Sequence, residues 1–141
     1  MFRKATMEDV EQILEIYDGI HGENEAGRMT TGWVRGVYPS RETAVAAVRH
    51  NDMFVEETDG RIVAAARINQ EQAAVYADAA WQYEVPEDQV MVLHTLVVSQ
   101  KEKGKGYGTR FVAYYEQYAR EHGCRCLRMD TNQRNSSARA L

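Results

Sequence analysis

Three observations predict a mixed α/β domain. First, an apolar and β-branched run from Val90 to Val98 leads through a glycine-rich loop into a helical stripe ending near Tyr118, which reads as buried strand, tight loop and helix. Second, another strand-like run, Cys124 to Asp130, follows Gly123. Strand, helix and strand with a short return form a right-handed crossover, so these two strands should be parallel. Third, Met53 to Glu57 and Ile62 to Ile68 flank Thr58, Asp59, Gly60 and Arg61, and Asp-Gly between apolar runs marks an antiparallel hairpin. Parallel and antiparallel pairs together make the sheet mixed, with helices flanking it.

At 141 residues the chain is long enough for one domain with a buried core, here read as residues 1–141. Its 44% hydrophobic and 27% charged content is ordinary for a globular protein, so no unusual class is indicated. The net charge of -4 argues against a general nucleic-acid partner, which would need a basic surface. The opening Met-Phe-Arg-Lys leads into a polar helix, and no run reaches membrane-spanning length. The expectation is a cytoplasmic protein with no membrane partner. Cys124 and Cys126 are two apart on a strand, a strained disulfide geometry and not the Cys-x-x-Cys spacing of redox or zinc sites. They read as reduced packing residues, and no metal site is expected.

In chain order, Phe2 to Ala5 can form a first strand. Thr6 opens a Thr-x-x-Asp capping pattern, and Val10, Ile13, Leu14, Tyr17 and Ile20 recur at helical spacing, predicting an amphipathic helix from about Met7 to Ile20. His21 to Gly36 is polar and glycine-rich around Trp33 and reads as a loop. Pro39 and Ser40 start a second helix carrying Ala44, Val45 and Val48 on one side. Asn69 to Trp81 is ambiguous: its alanines favour helix, but no clean stripe supports one. Gln82 to Gln89 reads as a loop with Glu84, Glu87 and Asp88; this acidic group could attract a cationic amine or be simply solvated. After the glycine loop, Gly108, Phe111, Val112, Tyr115, Tyr118 and Ala119 share a stripe, and Gly123 is placed to stop the helix in the left-handed conformation.

The loop carries the functional signal. Gly104, Gly106 and Gly108 alternate with Lys105 and Tyr107 after Lys103, so the backbone can bend closely around a ligand and present successive amides to it. The helix that starts there adds unpaired amides and about half a positive charge, a setting suited to a pyrophosphate. The spacing matches neither the nucleotide P-loop nor the Gly-x-Gly-x-x-Gly dinucleotide fingerprint.

Lys103 to Gly108 resembles the Gln/Arg-x-x-Gly-x-Gly/Ala motif of the GNAT superfamily of acyl-CoA N-acyltransferases, with lysine at the first position. Leu96, Val97 and Val98 are similar to that family's fourth strand, and Asn135 to Leu141 resembles its Asn-x-x-Ala-x-x-Leu helix. The resemblance implies transfer of an acetyl group from acetyl-CoA to a primary amine of a small molecule or peptide. Leu96, Val97 and Val98 would contact the pantetheine arm and thioester, and Lys103, Gly104, Lys105, Gly106, Tyr107, Gly108, Thr109 and Asn135 the cofactor. The connection between the first two helices would border the acceptor, making Trp33, Tyr38 and the charges of His21 to Arg28 specificity candidates beside Glu84.

An alkylamine must lose a proton before it attacks, so a base or water chain is needed. His94 is the best-placed base, read as sharing a strand face with Val92, Leu96 and Val98; arylalkylamine N-acetyltransferases look similar, with a histidine at the matching place. The alternative is a core histidine tied to a backbone carbonyl. The family's tyrosine acid would follow Leu141, where the chain stops, so a shortened GNAT-like domain lacking its closing C-terminal strands is expected. Its Cys124 to Asp130 strand would then be an open edge and a homodimer surface. The rival functional reading is a catalytically silent acyl-CoA-binding or interaction module.

Overall fold

A two-residue turn sets the first hairpin. Asp59 and Gly60 both adopt positive φ, +53° and +75°, the turn whose twist matches paired strands and which glycine and aspartate tolerate. It joins β2 (Met53–Thr58) to β3 (Arg61–Asn69), with Thr58 opposite Arg61. The computed structural model describes residues 1–29, 31–70, 90–124, 126–132 and 135–140, and from residue 130 on their backbone. The remaining elements are β1 (Phe2–Lys4), α1 (Val10–Glu25), α2 (Arg41–Arg49), β4 (Val90–Val98), α3 (Tyr107–Glu121), β5 (Cys126–Asn132) and β6 (Asn135–Ala140). The six described strands lie in sequence order in one sheet. Only β4 and β5 are parallel; the other neighbours are antiparallel.

Helices cover both faces. α1 buries Val10, Ile13, Ile16, Tyr17, Ile20 and His21, and with Ala44, Ala47 and Val48 of α2 it packs on Val55, Ala65 and Val97 of the sheet. On the other face Phe111, Tyr115 and Ala119 of α3 meet Phe54, Ala66, Met91 and Leu93. Cys124 and Cys126 are both buried, Cys124 in the α3-side cluster and Cys126 against Val90 and Val92.

Two expectations need correction in length. α1 runs to Glu25 rather than stopping at Ile20, because His21 continues the buried stripe and its Nε2–H donates to the Pro39 carbonyl at 2.9 Å. Tertiary packing thus carries the helix through Gly22, and Gly27, at φ +77°, ends it. The stretch from residue 71 to 89, which includes Glu84 and most of the ambiguous segment, lies outside the described residues.

The C-terminal expectation is overturned in kind. Asn135 to Leu141 was expected as a helix, yet Asn135–Ala140 is a strand, antiparallel to β5 from Cys126 opposite Ala140 to Asn132 opposite Asn135. A helix of about seven residues is too short to hold itself together, whereas a hairpin pairs its backbone with the adjacent strand at once. The strand expected over Cys124 to Asp130 begins at Cys126 and is not an edge, since β4 and β6 flank it. The backbone edge expected to pair with a second copy is taken by β6.

Arg3 ties β1 to the entry of α1 through two bonds to Asp9, 2.8 and 3.0 Å, and Asp9 also accepts the Thr6 amide at 2.8 Å. The Arg3 hydrogen bond holds the Asp9 carboxyl below its ordinary range, against the opposing effect of burial. A lowered folded-state pKa means stabilisation present above the unfolded value, near pH 4, and lost as pH falls through the folded one. Asp9→Asn should therefore cost roughly 1 to 3 kcal/mol at pH 7, measured by denaturant unfolding, with the gap to wild type closing in acid.

Candidate functional site

The site begins with a break in register. Arg67 pairs with His94 and Ala65 with Val97, so two steps along β3 face three along β4. The extra residue is a β-bulge, marked by Thr95 at φ +55°, a costly conformation for a β-branched side chain. Side chains change face across it. Met91 and Leu93 pack toward α3 before the bulge, and Leu96 and Val98 do so after it. His94 therefore shares a face with Val92, as expected, but not with Leu96 and Val98, because one inserted residue reverses the alternation.

The same point ends the parallel pairing, whose last register pair is His94 with Asp130. Among the described residues Leu96, Val97 and Val98 have no register partner on β5, so backbone groups turned away from β3 face an opening between the strands. On the paired side of His94, Tyr115 ties the two strands together. Its hydroxyl lies 2.6 Å from the Met91 carbonyl and 2.8 Å from that of Arg128, and it accepts the Arg128 amide at 3.2 Å. Burial pushes the Tyr115 pKa well up, so the group stays protonated and keeps its bond.

β4 leads straight into the glycine loop. Gly104 and Gly106 take φ of +82° and +81°, and a Cβ at either would meet nothing within 4 Å; it is the backbone conformation that requires glycine here. α3 starts at Tyr107 with Gly106 as its cap. Val98, Lys103, Gly104, Gly106, Tyr107 and Gly108 border a concavity of about 170 Å³, with Thr109 exposed on the first helical turn. Lys103 and Lys105 are both exposed, and Lys105 donates to Glu102 at 2.7 Å. Glu102 is 4% exposed and also meets Arg61 at 3.0 Å, so it braces the loop from beneath. The Lys105 bond holds the Glu102 carboxyl below its ordinary range.

On the α1 and α2 side, Tyr38 brings its hydroxyl against Thr95 Oγ1. Trp33 is buried and sets its ring edge-on to Tyr38 at 6.2 Å. Trp33, Tyr38, Thr95 and His94 are thus contiguous. His94 Nε2 lies 2.9 Å from Asn69 Oδ1. His122 Nδ1–H donates to the Tyr118 carbonyl at 2.8 Å, complementing the helix end. Glu84 is outside the described residues, and Asn135 opens β6 opposite Asn132. Thr95, Asn69 and Tyr115 were missed from sequence. The polar His94-Thr95 pair inside an apolar run was the only available hint of the first.

Residues 11–141 match the model of the Acetyltransferase (GNAT) family. No curated protein matches the chain. A GNAT-family acetyltransferase from Streptococcus agalactiae 2603 is similar with a TM-score of 0.75 at 20% identity, over 96% of this chain and 77% of its own. Another from Listeria monocytogenes 4b F2365 reaches 0.74 at 18%, over 96% and 78%. N-acetylglutamate synthase from Neisseria gonorrhoeae, solved with coenzyme A and N-acetyl-glutamate, gives 0.59 at 22%, over 92% of this chain and 24% of its own. At these identities the structures establish likeness of fold, and the family match spans nearly the whole sequence: the chain belongs to the acetyltransferase (GNAT) family and is an acyltransferase by that membership.

Proposed function

We propose that this protein transfers an acetyl group from acetyl-CoA to a primary amine of a small molecule or peptide in the cytoplasm. The observation that carries the reading is continuity: the stretch of β4 without a partner on β5, Leu96–Val98, runs directly into a glycine loop capped by a helix N-terminus. A ligand with an extended amide-bearing arm and a pyrophosphate matches both parts. The arm would pair with the backbone of Leu96, Val97 and Val98, and the phosphates would take the amides from Lys103 to Thr109. The contact expected of Asn135 rested on a helix that is a strand, and the proposal assigns it none.

His94 is assigned as proton acceptor. An alkylamine with a pKa near 10.4 needs about 4 to 5 kcal/mol to expose its lone pair at neutral pH. The nitrogen then bonds to the acetyl carbon, the carbon–sulfur bond breaks, the thiolate leaves with its electron pair, and the amine proton goes to the imidazole. Trp33 and Tyr38, contiguous with His94 through Thr95, would shape the acceptor pocket.

Two variants test this. Gly106→Val places a β-branched residue at φ +81°, and the strain should displace the amides. Coenzyme A affinity by calorimetry should fall roughly tenfold to a hundredfold, with the circular dichroism of the fold retained; unchanged affinity in a folded variant removes the loop assignment. His94→Ala should lose about two to four orders of magnitude in turnover while binding acetyl-CoA as before. In the wild type the rate should drop on the acid side, where histidines titrate. Coenzyme A binding with no thiol release across an amine panel would favour the silent-module reading instead.

A further inference from the structure

A buried carboxylate borders the concavity of the glycine loop. Glu102 lies beside Lys103, Gly104 and Gly106 there and is 4% exposed. Alone in that place it would oppose an anion, because like charges repel and burial weakens the screening by salt. Its two oxygens are held by separate cations: Oε2 accepts from Lys105 Nζ at 2.7 Å, and Oε1 meets Arg61 Nη1 at 3.0 Å. One carboxylate and two cations leave a single net positive charge under the loop. With Lys105 alone the sum would be zero.

The backbone brings these residues together from distant parts of the sequence. Arg61 opens β3 opposite Thr58 of the hairpin, and two residues on, the Val63 carbonyl accepts the Ser99 amide at 2.8 Å where the chain leaves β4. Glu102 then donates its amide to the Ser99 carbonyl at 2.9 Å, and its own carbonyl accepts the Lys105 amide at 3.4 Å. The Arg61 side chain is 57% exposed, where an ion pair contributes little to stability, and the backbone ties stand without it. What Arg61 supplies is charge. The Glu102 bond pushes the Lys105 pKa up while Arg61 pushes it down, so the two cations feel each other across the carboxylate.

We propose that Arg61 and Glu102 set the charge of the phosphate cradle: Arg61, from the distant hairpin, offsets the Glu102 carboxylate and leaves the charge of Lys105 to act on the pyrophosphate of an acyl-CoA. The inference rests on the reading of the loop as the pyrophosphate site. Both are positioning residues, since Glu102 fixes where the Lys105 ammonium sits and Arg61 decides how much of its field survives. Their removal therefore has opposite signs. Without Arg61 the remaining pair cancels and pyrophosphate binding weakens; without the Glu102 charge two cations act unopposed and it tightens. A bracing role alone would make both losses weaken binding.

The test is calorimetry on the full chain with two probes, dephospho-coenzyme A, whose only phosphates are the pyrophosphate, and pantetheine, which has none. Arg61→Ala should weaken dephospho-coenzyme A roughly threefold to tenfold at low ionic strength, Glu102→Gln should tighten it by a similar factor, and the double variant should return to the wild-type value. Added salt should shrink both differences, and pantetheine affinity should be the same in every variant. Weakening in both single variants with no recovery in the double overturns the proposal, as does an unchanged affinity in Arg61→Ala or an equal change for pantetheine. If Glu102→Gln does not fold, Arg61→Lys decides: it keeps the charge and should keep the affinity that Arg61→Ala loses, and equal losses in the two overturn the proposal. Unchanged affinity in a folded Gly106→Val protein would sink the loop reading and this inference with it, whereas a weakened Gly106→Val beside no charge pattern sinks this inference alone.

Discussion

One extra residue in β4 is the constraint on which the rest of the site depends. Thr95 sits at φ +55° between register pairs that are intact on either side, Arg67 with His94 and Ala65 with Val97. Such a conformation costs on the order of 1 to 3 kcal/mol and survives only where its surroundings over-determine it. The surroundings here do so: β3 holds both ends of the bulge, and the Tyr38 hydroxyl meets the Thr95 side chain from the α1 and α2 side. Without the bulge β4 would keep its alternation, Leu96 and Val98 would turn toward α1 and α2, and their present packing against α3 would be lost.

Tyr115 makes the divergence of β4 and β5 local. A parallel pair that separates at one end tends to separate further, since each lost ladder bond leaves backbone groups without partners. The buried phenol touches the carbonyls of both strands on the paired side of His94, so it ties β4 to β5 before they diverge. It belongs to the same helix whose first turn carries the glycine loop. α3 therefore ties the two strands with its middle and carries the glycine loop at its N-terminus, and a shift of the helix would move both together.

Much of this was legible in the sequence, for identifiable reasons. The hairpin at Asp59 and Gly60, the crossover from β4 through α3 to β5, the stop at Gly123 with φ +73° and the glycine loop all rest on residues whose backbone preference is strong and local. What could not be read depended on partners far away. Gly22 lies inside a helix because His21 finds the Pro39 carbonyl eighteen residues on. The bulge was hidden because Val90, Val92 and Val97 are apolar too, so a strand buried on both faces shows no change of phase at His94 and Thr95. Asn135 to Ala140 matched a helical motif by spacing, yet the backbone of β5 offered it a ladder.

The bulge also divides the work of the site between the two faces of one strand. Before it, His94 and Asn69 lie on the side where Tyr38 and Trp33 gather, with the titratable groups among them. After it, Leu96 and Val98 turn their side chains to α3 and leave only backbone toward the opening. A thioester lying along that backbone and an amine arriving from the aromatic side would meet at the one place where the strand changes phase. On the proposed assignment, proton transfer and cofactor binding draw on different faces of β4, and the hydrogen-bonded groups around His94 can be tuned by α1, α2 and β3 without disturbing the loop that α3 holds. Thr95, at φ +55°, is the residue that allows this separation, which is a physical reason for a β-branched side chain to stay in a conformation it disfavours.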